Sequence, residues 1–167
     1  MNGRGLSLAH DKGLVKNNVP MSKPTPPLRS DYAHLSTITT RWMDNDIYGH
    51  VNNVTYYSYF DTAVNRYLIE AGVLDIHGGE VIGLVIETHC NYFAPLAFPK
   101  NVEAAIRVAH IGRSSVRYEI GLFEVGQEAA AASGHFVHVY VDRQTRRPTP
   151  LPEAFVKALQ QLQVAAA

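Results

Sequence analysis

Two carboxylates, a glycine, an imidazole and three amides lie between Asp44 and Asn53, immediately before a long apolar segment. A helix that begins near Asn53 would present unpaired backbone N–H groups and the positive end of its dipole to these side chains. Such donors stabilise the negative oxygen that develops when a carbonyl group is attacked. A carboxylate in the same positive field stays ionised and serves as a nucleophile or a general base. The pattern favours chemistry at a carbonyl with a good leaving group, such as a thiol that departs as thiolate.

The same residues also have purely structural interpretations. Asp44 and Asp46 are typical of loops in which a carboxylate accepts hydrogen bonds from its own backbone. Asn52 or Asn53 is a typical helix N-cap. A single histidine such as His50 is more often a hydrogen-bonded structural residue than a catalyst. The residue types alone leave the catalytic and structural interpretations balanced.

The spacing Asp46-x-x-Gly49-His50-Val51-Asn52-Asn53-x-x-Tyr56, followed by an apolar helix, resembles the motif of hotdog-fold thioesterases of the 4-hydroxybenzoyl-CoA thioesterase type. The similarity extends over residues 35–143. The resemblance implies an α+β hotdog fold, in which an antiparallel sheet wraps around one long central helix. It also implies homodimers, often homotetramers, with active sites shared between two subunits. The implied activity is hydrolysis of acyl-CoA to free acid and CoA, with an acyl carrier protein thioester as the alternative substrate.

The resemblance assigns roles to individual positions. The catalytic carboxylate falls on Asp46, and the backbone amide that polarises the thioester carbonyl falls on Asn53. His50, Asn52 and Tyr56 match positions that shape the loop and the substrate entrance. The resemblance leaves open whether Asp46 attacks the thioester itself or activates a water molecule.

The sequence departs from many relatives in the middle of the helix, where Asp61 and Val64 replace a Glu and an Arg. Another hotdog branch places its catalytic acid on the helix, so Asp61 is the second choice for the catalytic carboxylate. We prefer Asp46, because Asp61 lies two turns beyond the N-terminal donors of the helix.

The phosphates of CoA need cationic and hydroxyl donors. Lys100 precedes one predicted strand, and Arg113, Ser114 and Ser115 form the turn that follows it. We expect these residues to bind CoA. The alternative is that they are only turn residues in contact with solvent. CoA is part of the substrate, so no separate cofactor is expected.

Metal chemistry is not predicted. The single cysteine, Cys90, excludes a disulfide framework and a multi-cysteine zinc site, and it lies in an apolar run typical of a buried residue. His135 and His138 are three residues apart on a predicted strand and therefore point to opposite faces.

Two alternative functions remain open. A hotdog hydratase or dehydratase would use Asp46 and His50 as an acid–base pair on the acyl chain. A non-catalytic acyl-CoA-binding protein would keep the pocket and release no thiol.

Hydrophobic periodicity predicts the helices and strands that position these residues. A stripe with steps of three and four predicts a helix over residues 53–71 that is apolar over most of its circumference and is stopped by Gly72. Strands are predicted at 34–41, 81–93, 102–112, 114–125 and 135–143, with 127–134 as a further alanine-rich stretch of strand and a short helix at 152–163.

Composition limits the remaining possibilities. The chain has 167 residues, of which 46% are hydrophobic, and its 15 basic residues balance 15 acidic ones. This neutrality argues against binding to nucleic acid or to an anionic membrane surface. Since no apolar stretch reaches the ~18 residues of a membrane span, we expect a cytoplasmic protein. Residues 1–30 hold five basic residues against one acidic residue and several prolines, so we predict a flexible basic extension before a single domain at 31–167.

Overall fold

The computed structural model describes residues 24–164. Within that range lie five strands and two α-helices: β1 His34–Ile38, α1 Asn53–Glu70, β2 Val81–Tyr92, β3 Val102–Ile111, β4 Ser115–Glu124, β5 Ala132–Asp142 and α2 Glu153–Gln160. Short 3-10 turns at Arg29–Asp31 and Trp42–Asp44 flank β1. None of the helices in this part of the chain is long and apolar enough to cross a membrane.

The strands form one antiparallel sheet in the order β1-β3-β4-β5-β2. Short turns join β3 to β4 and β4 to β5, so these strands are sequential neighbours. Strand β2 pairs only with β5 among the described residues and therefore forms an edge. A long helix and a short helix together with one antiparallel sheet confirm the predicted α+β class.

Helix α1 begins where the Asn52 side chain accepts a hydrogen bond from the Val54 amide at 3.0 Å. It ends just before Gly72, whose φ of 69° suits a residue without a Cβ. The buried side chains follow steps of one, three and four and pack on the sheet: Tyr56, Tyr59, Phe60, Ala63, Val64 and Leu68. The opposite face is exposed and mostly polar, so the expectation of a helix apolar on most sides is wrong for the single chain.

The alanine-rich stretch at 127–134 is only partly strand, because β5 begins at Ala132. After Gly126, whose φ is 86°, the chain turns away from the sheet and pairs with the segment before β1. There Ala129 bridges to Leu28, and the Ala130 amide donates to the Pro27 carbonyl at 2.9 Å. Residues 27–31 thus pack on the domain, whereas residues 1–23 of the predicted extension lie outside the described residues.

Close packing of β2 against β5 depends on Gly134. A Cβ at this position would lie 1.9 Å from the His89 carbonyl oxygen and 2.7 Å from the Phe60 ring. We expect Gly134→Ala to lower the free energy of unfolding by about 1–3 kcal/mol or more, measured by urea denaturation. Ser133→Ala, on the opposite face of the same strand, is the control and should stay within about 0.5 kcal/mol of the wild type.

Candidate active site

The loop between β1 and α1 is fixed by backbone hydrogen bonds at both of its ends. The Val51 amide donates to the Leu96 carbonyl at 2.7 Å, and the Asn52 amide donates to the Asp44 carbonyl at 2.8 Å. The Asn45 side-chain oxygen accepts from the Phe98 amide at 3.1 Å. The loop is therefore held against the connection between β2 and β3, directly before the start of α1.

Asp44 is the structural carboxylate of this loop. Its side chain is buried and accepts hydrogen bonds from the Tyr59 hydroxyl at 2.7 Å, from the Arg41 amide at 2.7 Å and from the Arg41 guanidinium at 3.0 and 3.1 Å. Burial alone would raise the pKa of Asp44, but these donors outweigh it and hold the pKa below its ordinary value. All of its hydrogen bonds are directed at shaping the loop.

Asp46 is in a different situation. One of its carboxylate oxygens accepts from the Tyr48 amide at 2.8 Å, and its own amide donates to the His50 carbonyl at 2.8 Å. The other oxygen has no hydrogen-bond partner within residues 24–164. The side chain lines a cavity of about 190 Å³ whose other walls are Trp42, Asn45, Ile47 and Gly49. Asp46 is therefore a half-exposed carboxylate with an oxygen available for chemistry.

In the described part of the chain, the first turn of α1 leaves the Asn53 amide uncommitted. The Val54 amide donates to the Asn52 side chain at 3.0 Å, and the Thr55 amide donates to the Asn52 carbonyl at 2.9 Å. The amide of Asn53 has no acceptor among the described residues, and Asn53 is exposed. An available N–H at the positive end of an 18-residue helix can hold a developing oxyanion.

Aromatic side chains from α1 and β2 border this helix start. Tyr56 is buried and packs edge-to-face on Tyr92, with ring centroids 5.0 Å apart. The Tyr92 hydroxyl donates to the Asn53 carbonyl at 3.3 Å. Burial raises the pKa of the neighbouring Cys90 thiol to about 11, so this thiol is not a nucleophile at neutral pH. His50 is exposed in the loop.

The large apolar side chains of the loop face outward. Trp42, Met43, Ile47 and Tyr48 are between 75% and 93% exposed, and they adjoin Asp46. An apolar cluster of this kind marks a surface that binds a ligand or another protein.

The predicted phosphate-binding residues do not converge within one chain. Lys100 lies just before β3, at the end of the sheet that carries Asp46, and its ammonium contacts Glu124 at 2.6 Å. Arg113, Ser114 and Ser115 follow the opposite end of β3, about 33 Å away for ten residues of strand. One chain alone therefore cannot place both groups on the same CoA molecule near Asp46.

Asp61 lies on the exposed face of α1, eight residues beyond Asn53 and about 12 Å along the helix axis. Its carboxylate accepts a hydrogen bond from the Asn65 side chain at 3.0 Å. Asp61 is therefore far from the uncommitted amide of Asn53, whereas the loop that carries Asp46 leads directly to that amide.

The two histidines of β5 point to opposite faces, as their spacing predicts. The ring of His135 contacts Glu87 at 2.7 Å and Arg117 at 3.0 Å on the face away from α1. His138 is buried on the helix face, among Tyr118, Phe136 and Tyr140.

Sequence comparison identifies the family to which the chain belongs. The sequence pattern of the thioesterase-like superfamily matches residues 40–159, which include the Asp46 loop, α1 and all strands from β2 to β5. The chain belongs to the thioesterase-like superfamily. Among curated proteins, none matches this sequence.

Solved structures show the same fold for this superfamily member. The PA5185 protein from Pseudomonas aeruginosa is 59% identical with a TM-score of 0.83, and the match covers 85% of this chain and 99% of that one. A candidate thioesterase from the same organism, PA2801, is 29% identical over 77% of this chain and 98% of its own, with a TM-score of 0.72. Slr0204 from Synechocystis, a 1,4-dihydroxy-2-naphthoyl-CoA thioesterase, is 15% identical over 75% of this chain and 94% of that one, with a TM-score of 0.69, and shows the fold alone.

These findings confirm the predicted hotdog fold and the resemblance to hotdog thioesterases. They support thioester hydrolysis as the activity of this superfamily member.

Proposed function

We propose that the protein is an acyl-CoA thioesterase in which Asp46 and the backbone amide of Asn53 act on one thioester. A single observation carries the proposal. Within residues 24–164, the loop that enters α1 leaves one carboxylate oxygen of Asp46 and the helix amide of Asn53 without partners, while the neighbouring Asp44 and Val54 are engaged. Attack on a carbonyl requires a nucleophile or base near the carbon and a hydrogen-bond donor at the oxygen, and these two groups are of those kinds.

In the proposed reaction the Asn53 amide donates to the thioester oxygen and stabilises the negative charge that develops on it. After an oxygen of Asp46 or of a water molecule has bonded to the carbonyl carbon, the carbon–sulfur bond breaks, and the CoA sulfur leaves with its electron pair as a thiolate. A thiol pKa of ~8.5 makes this departure possible without a strong general acid. Asp46 either forms an acyl anhydride that water opens, or removes a proton from the attacking water. Incorporation of oxygen-18 from water into Asp46 during a single turnover would identify the anhydride route.

The same proposal includes a second copy of the chain. Strand β2 is an edge strand with exposed apolar side chains, including Val85 and Ile86. Unpaired edges of this kind pair with another strand. Antiparallel pairing of two β2 edges would make one continuous sheet across both copies. The strands of the second copy would then run in the opposite direction to those of the first. The Arg113 turn of that copy would then lie at the end of the sheet that carries Asp46, where a CoA phosphate group could contact it.

We expect the wild type to sediment at twice the 18.5 kDa mass of one chain, or at four times that mass where two dimers associate. Ile86→Lys, which places a charge in the proposed strand pairing, should sediment as a single chain and lose at least about tenfold in activity. The matched control is Val125→Lys, at a similarly exposed apolar position in the turn after β4, which should keep the dimer mass. A wild type that sediments as a single chain would contradict the dimer.

The proposed activity is tested by thiol release across acyl-CoA chain lengths, aromatic acyl-CoA thioesters and acyl carrier protein thioesters. We expect release of free CoA and acid from at least one class. Hydration of an enoyl-CoA without thiol release would identify the hydratase alternative. Tight binding of acyl-CoA without any reaction would identify the non-catalytic alternative.

A further inference from the structure

A second cavity lies on the outer face of the sheet, the face that is turned away from α1. Its volume is about 260 Å³, and β2 and β5 line it with four side chains: His89, Asn91, Ser133 and His135. Thr25 and Pro27, from the segment before β1, border it as well. The loop that carries Asp46 contributes none of its described walls. The proposed reaction therefore gives this outer cavity no role.

Short side chains create the depression in the sheet. Asn91 pairs with Ser133 across β2 and β5, and Ser133 pairs with Gly121 across β5 and β4. Cross-strand partners lie on the same face of a sheet, so these three residues form one row on the outer face. Gly121 makes room for Tyr32, since a Cβ at position 121 would lie 2.8 Å from the Tyr32 hydroxyl oxygen. The hydroxyl of Tyr32 therefore lies at the end of this row.

Tyr32 presents a fixed hydroxyl group at the cavity that it lines. The residue is 8% exposed and packs edge-to-face on Phe123, with ring centroids 5.9 Å apart, and the Arg107 guanidinium lies 5.4 Å from the Tyr32 centroid. Burial raises the pKa of Tyr32, so the hydroxyl keeps its proton at neutral pH. Within residues 24–164 this hydroxyl has no hydrogen-bond partner. Since buried tyrosine hydroxyls usually have one, a ligand in the outer cavity would supply what is missing.

Two further polar side chains of the cavity have unused hydrogen-bonding groups. The hydroxyl of Ser133 has no partner in the described part of the chain. The Nε2 atom of His89 lies 3.1 Å from the side-chain oxygen of Asn91, so the ring donates and the NH₂ group of Asn91 stays available. Together with Tyr32, these residues offer two hydroxyl groups, which donate and accept, and one amide donor.

The charges at the cavity cancel and therefore favour a neutral ligand. The Arg107 guanidinium donates to Glu119 at 2.7 Å and to the Asp31 carbonyl at 2.9 Å. The charges that act on the Tyr32 hydroxyl are this one cation and the carboxylates of Glu119 and Asp31. An anion would lose its hydration here without gaining an unpaired cation, which costs free energy.

The two histidines contribute ring surface to the wall. Their centroids are 5.6 Å apart with an interplanar angle of 25°, so the rings of His89 and His135 stack. Arg117 donates to Nδ1 of His135 at 3.0 Å, and Nε2 of the same ring lies 2.7 Å from Glu87. Because arginine has no acceptor, Nδ1 carries no proton, and both nitrogens of His135 are engaged. His135 therefore packs against a ligand rather than binding it through a nitrogen.

We propose that the outer cavity binds a small neutral molecule whose ring carries neighbouring hydroxyl groups, the chemistry of a free monosaccharide or of the ribose of a nucleoside. Such hydroxyls match the hydroxyls of Tyr32 and Ser133 and accept from the NH₂ of Asn91. The volume lies below the range of about 300–1,000 Å³ for drug-sized ligands, so one ring fits. Pairing of two β2 edges runs in the plane of the sheet, whereas these side chains stand perpendicular to it, so the proposed dimer leaves the cavity open.

The test is an NMR titration of the full chain with D-glucose, D-ribose and adenosine, with inorganic phosphate as the anionic probe. We expect at least one of the three hydroxylated probes to bind with a Kd of about 1 mM or tighter. It should shift the amide signals of Asn91 and Ser133 and leave that of Asn53 unchanged. Glucose binding alone would identify a free sugar as the source of the hydroxyls, and adenosine binding tighter than ribose would identify a nucleoside.

Two variants remove one hydroxyl each from the cavity. Tyr32→Phe and Ser133→Ala should each raise the Kd by about three- to tenfold, because each loses one hydrogen bond to the ligand. Tyr32→Phe should fold as stably as the wild type, since its hydroxyl has no partner among residues 24–164. The matched control is Tyr48→Phe, which removes an exposed hydroxyl beside Asp46 and should keep the wild-type Kd.

Four results would overturn the inference. The first is that none of the three hydroxylated probes binds at up to about 10 mM. The second is a Kd that stays unchanged in both Tyr32→Phe and Ser133→Ala, and the third is a signal shift confined to Asn53 and Asp46. The fourth is phosphate that binds at Asn91 more tightly than the hydroxylated probes. Thiol release from acyl-CoA is measured separately, so failure of the proposed function and failure of this inference are distinguishable.

Discussion

Asp46→Asn should lose acyl-CoA hydrolysis by a factor of about 10² to 10⁴ or more while keeping its stability. An amide cannot attack a thioester or accept a proton from water, but its oxygen can still accept the hydrogen bond from the Tyr48 amide. The loop geometry should therefore survive. The measurement is thiol release under saturating acyl-CoA, together with urea denaturation of the same variant.

The matched control for this variant is Asp75→Asn. Asp75 accepts hydrogen bonds from the amides of His77 and Gly78 at 2.9 Å, in a turn of the same kind, after α1 rather than before it. It should retain wild-type turnover. Asp61→Asn provides the second comparison, since Asp61 is the other carboxylate on the same helix. A larger loss of turnover in Asp61→Asn than in Asp46→Asn would reassign the catalytic acid to the helix.

Asp44→Asn should have the opposite effect and lower the free energy of unfolding by about 2–4 kcal/mol. The carboxylate accepts from four donors, three of them on Arg41 and one on Tyr59. A carboxamide keeps one acceptor oxygen and turns its NH₂ toward some of these donors. Urea denaturation measures the loss, and Asp46→Asn, two residues away, is the control that should stay near the wild type.

The contribution of Asp44 to stability should depend on pH with a definite sign. The folded pKa of this carboxyl lies below the unfolded value of about 3.9. Its contribution is therefore complete above the unfolded pKa and disappears as the pH falls through the folded pKa. The difference in unfolding free energy between wild type and Asp44→Asn should be constant near neutrality and shrink in acid. A difference that grows in acid would contradict this assignment.

Local patterns predicted the elements that carry the site. The steps of three and four in residues 53–71 predicted α1, and the observed helix, Asn53–Glu70, ends within one residue of the prediction. Residue type predicted an N-cap at Asn52 or Asn53, and the structure places it at Asn52. The sequence did not reveal that the Tyr59 hydroxyl reaches Asp44, since this contact depends on how α1 is oriented against the loop.

The errors have physical causes that are visible in particular residues. The alanine-rich stretch after Gly126 was predicted as strand, but its backbone pairs with Pro27 and Leu28, which are about a hundred residues away in sequence and cannot be matched by a local pattern. Lys100 and Arg113 were both predicted to bind CoA, and within one chain the strand between them separates them by its full length. The sequence did not reveal that His138 Nε2 is buried without a hydrogen-bond partner among residues 24–164, because this depends on how the strands pack together.

The most direct test of the account is a crystal structure of Asp46→Asn with an intact acyl-CoA that the wild type hydrolyses. We expect the thioester oxygen to lie about 2.7–3.1 Å from the Asn53 amide nitrogen, with the side chain at position 46 facing the carbonyl carbon. A thioester bound away from the start of α1, or with its carbonyl carbon facing Asp61 instead, would contradict it.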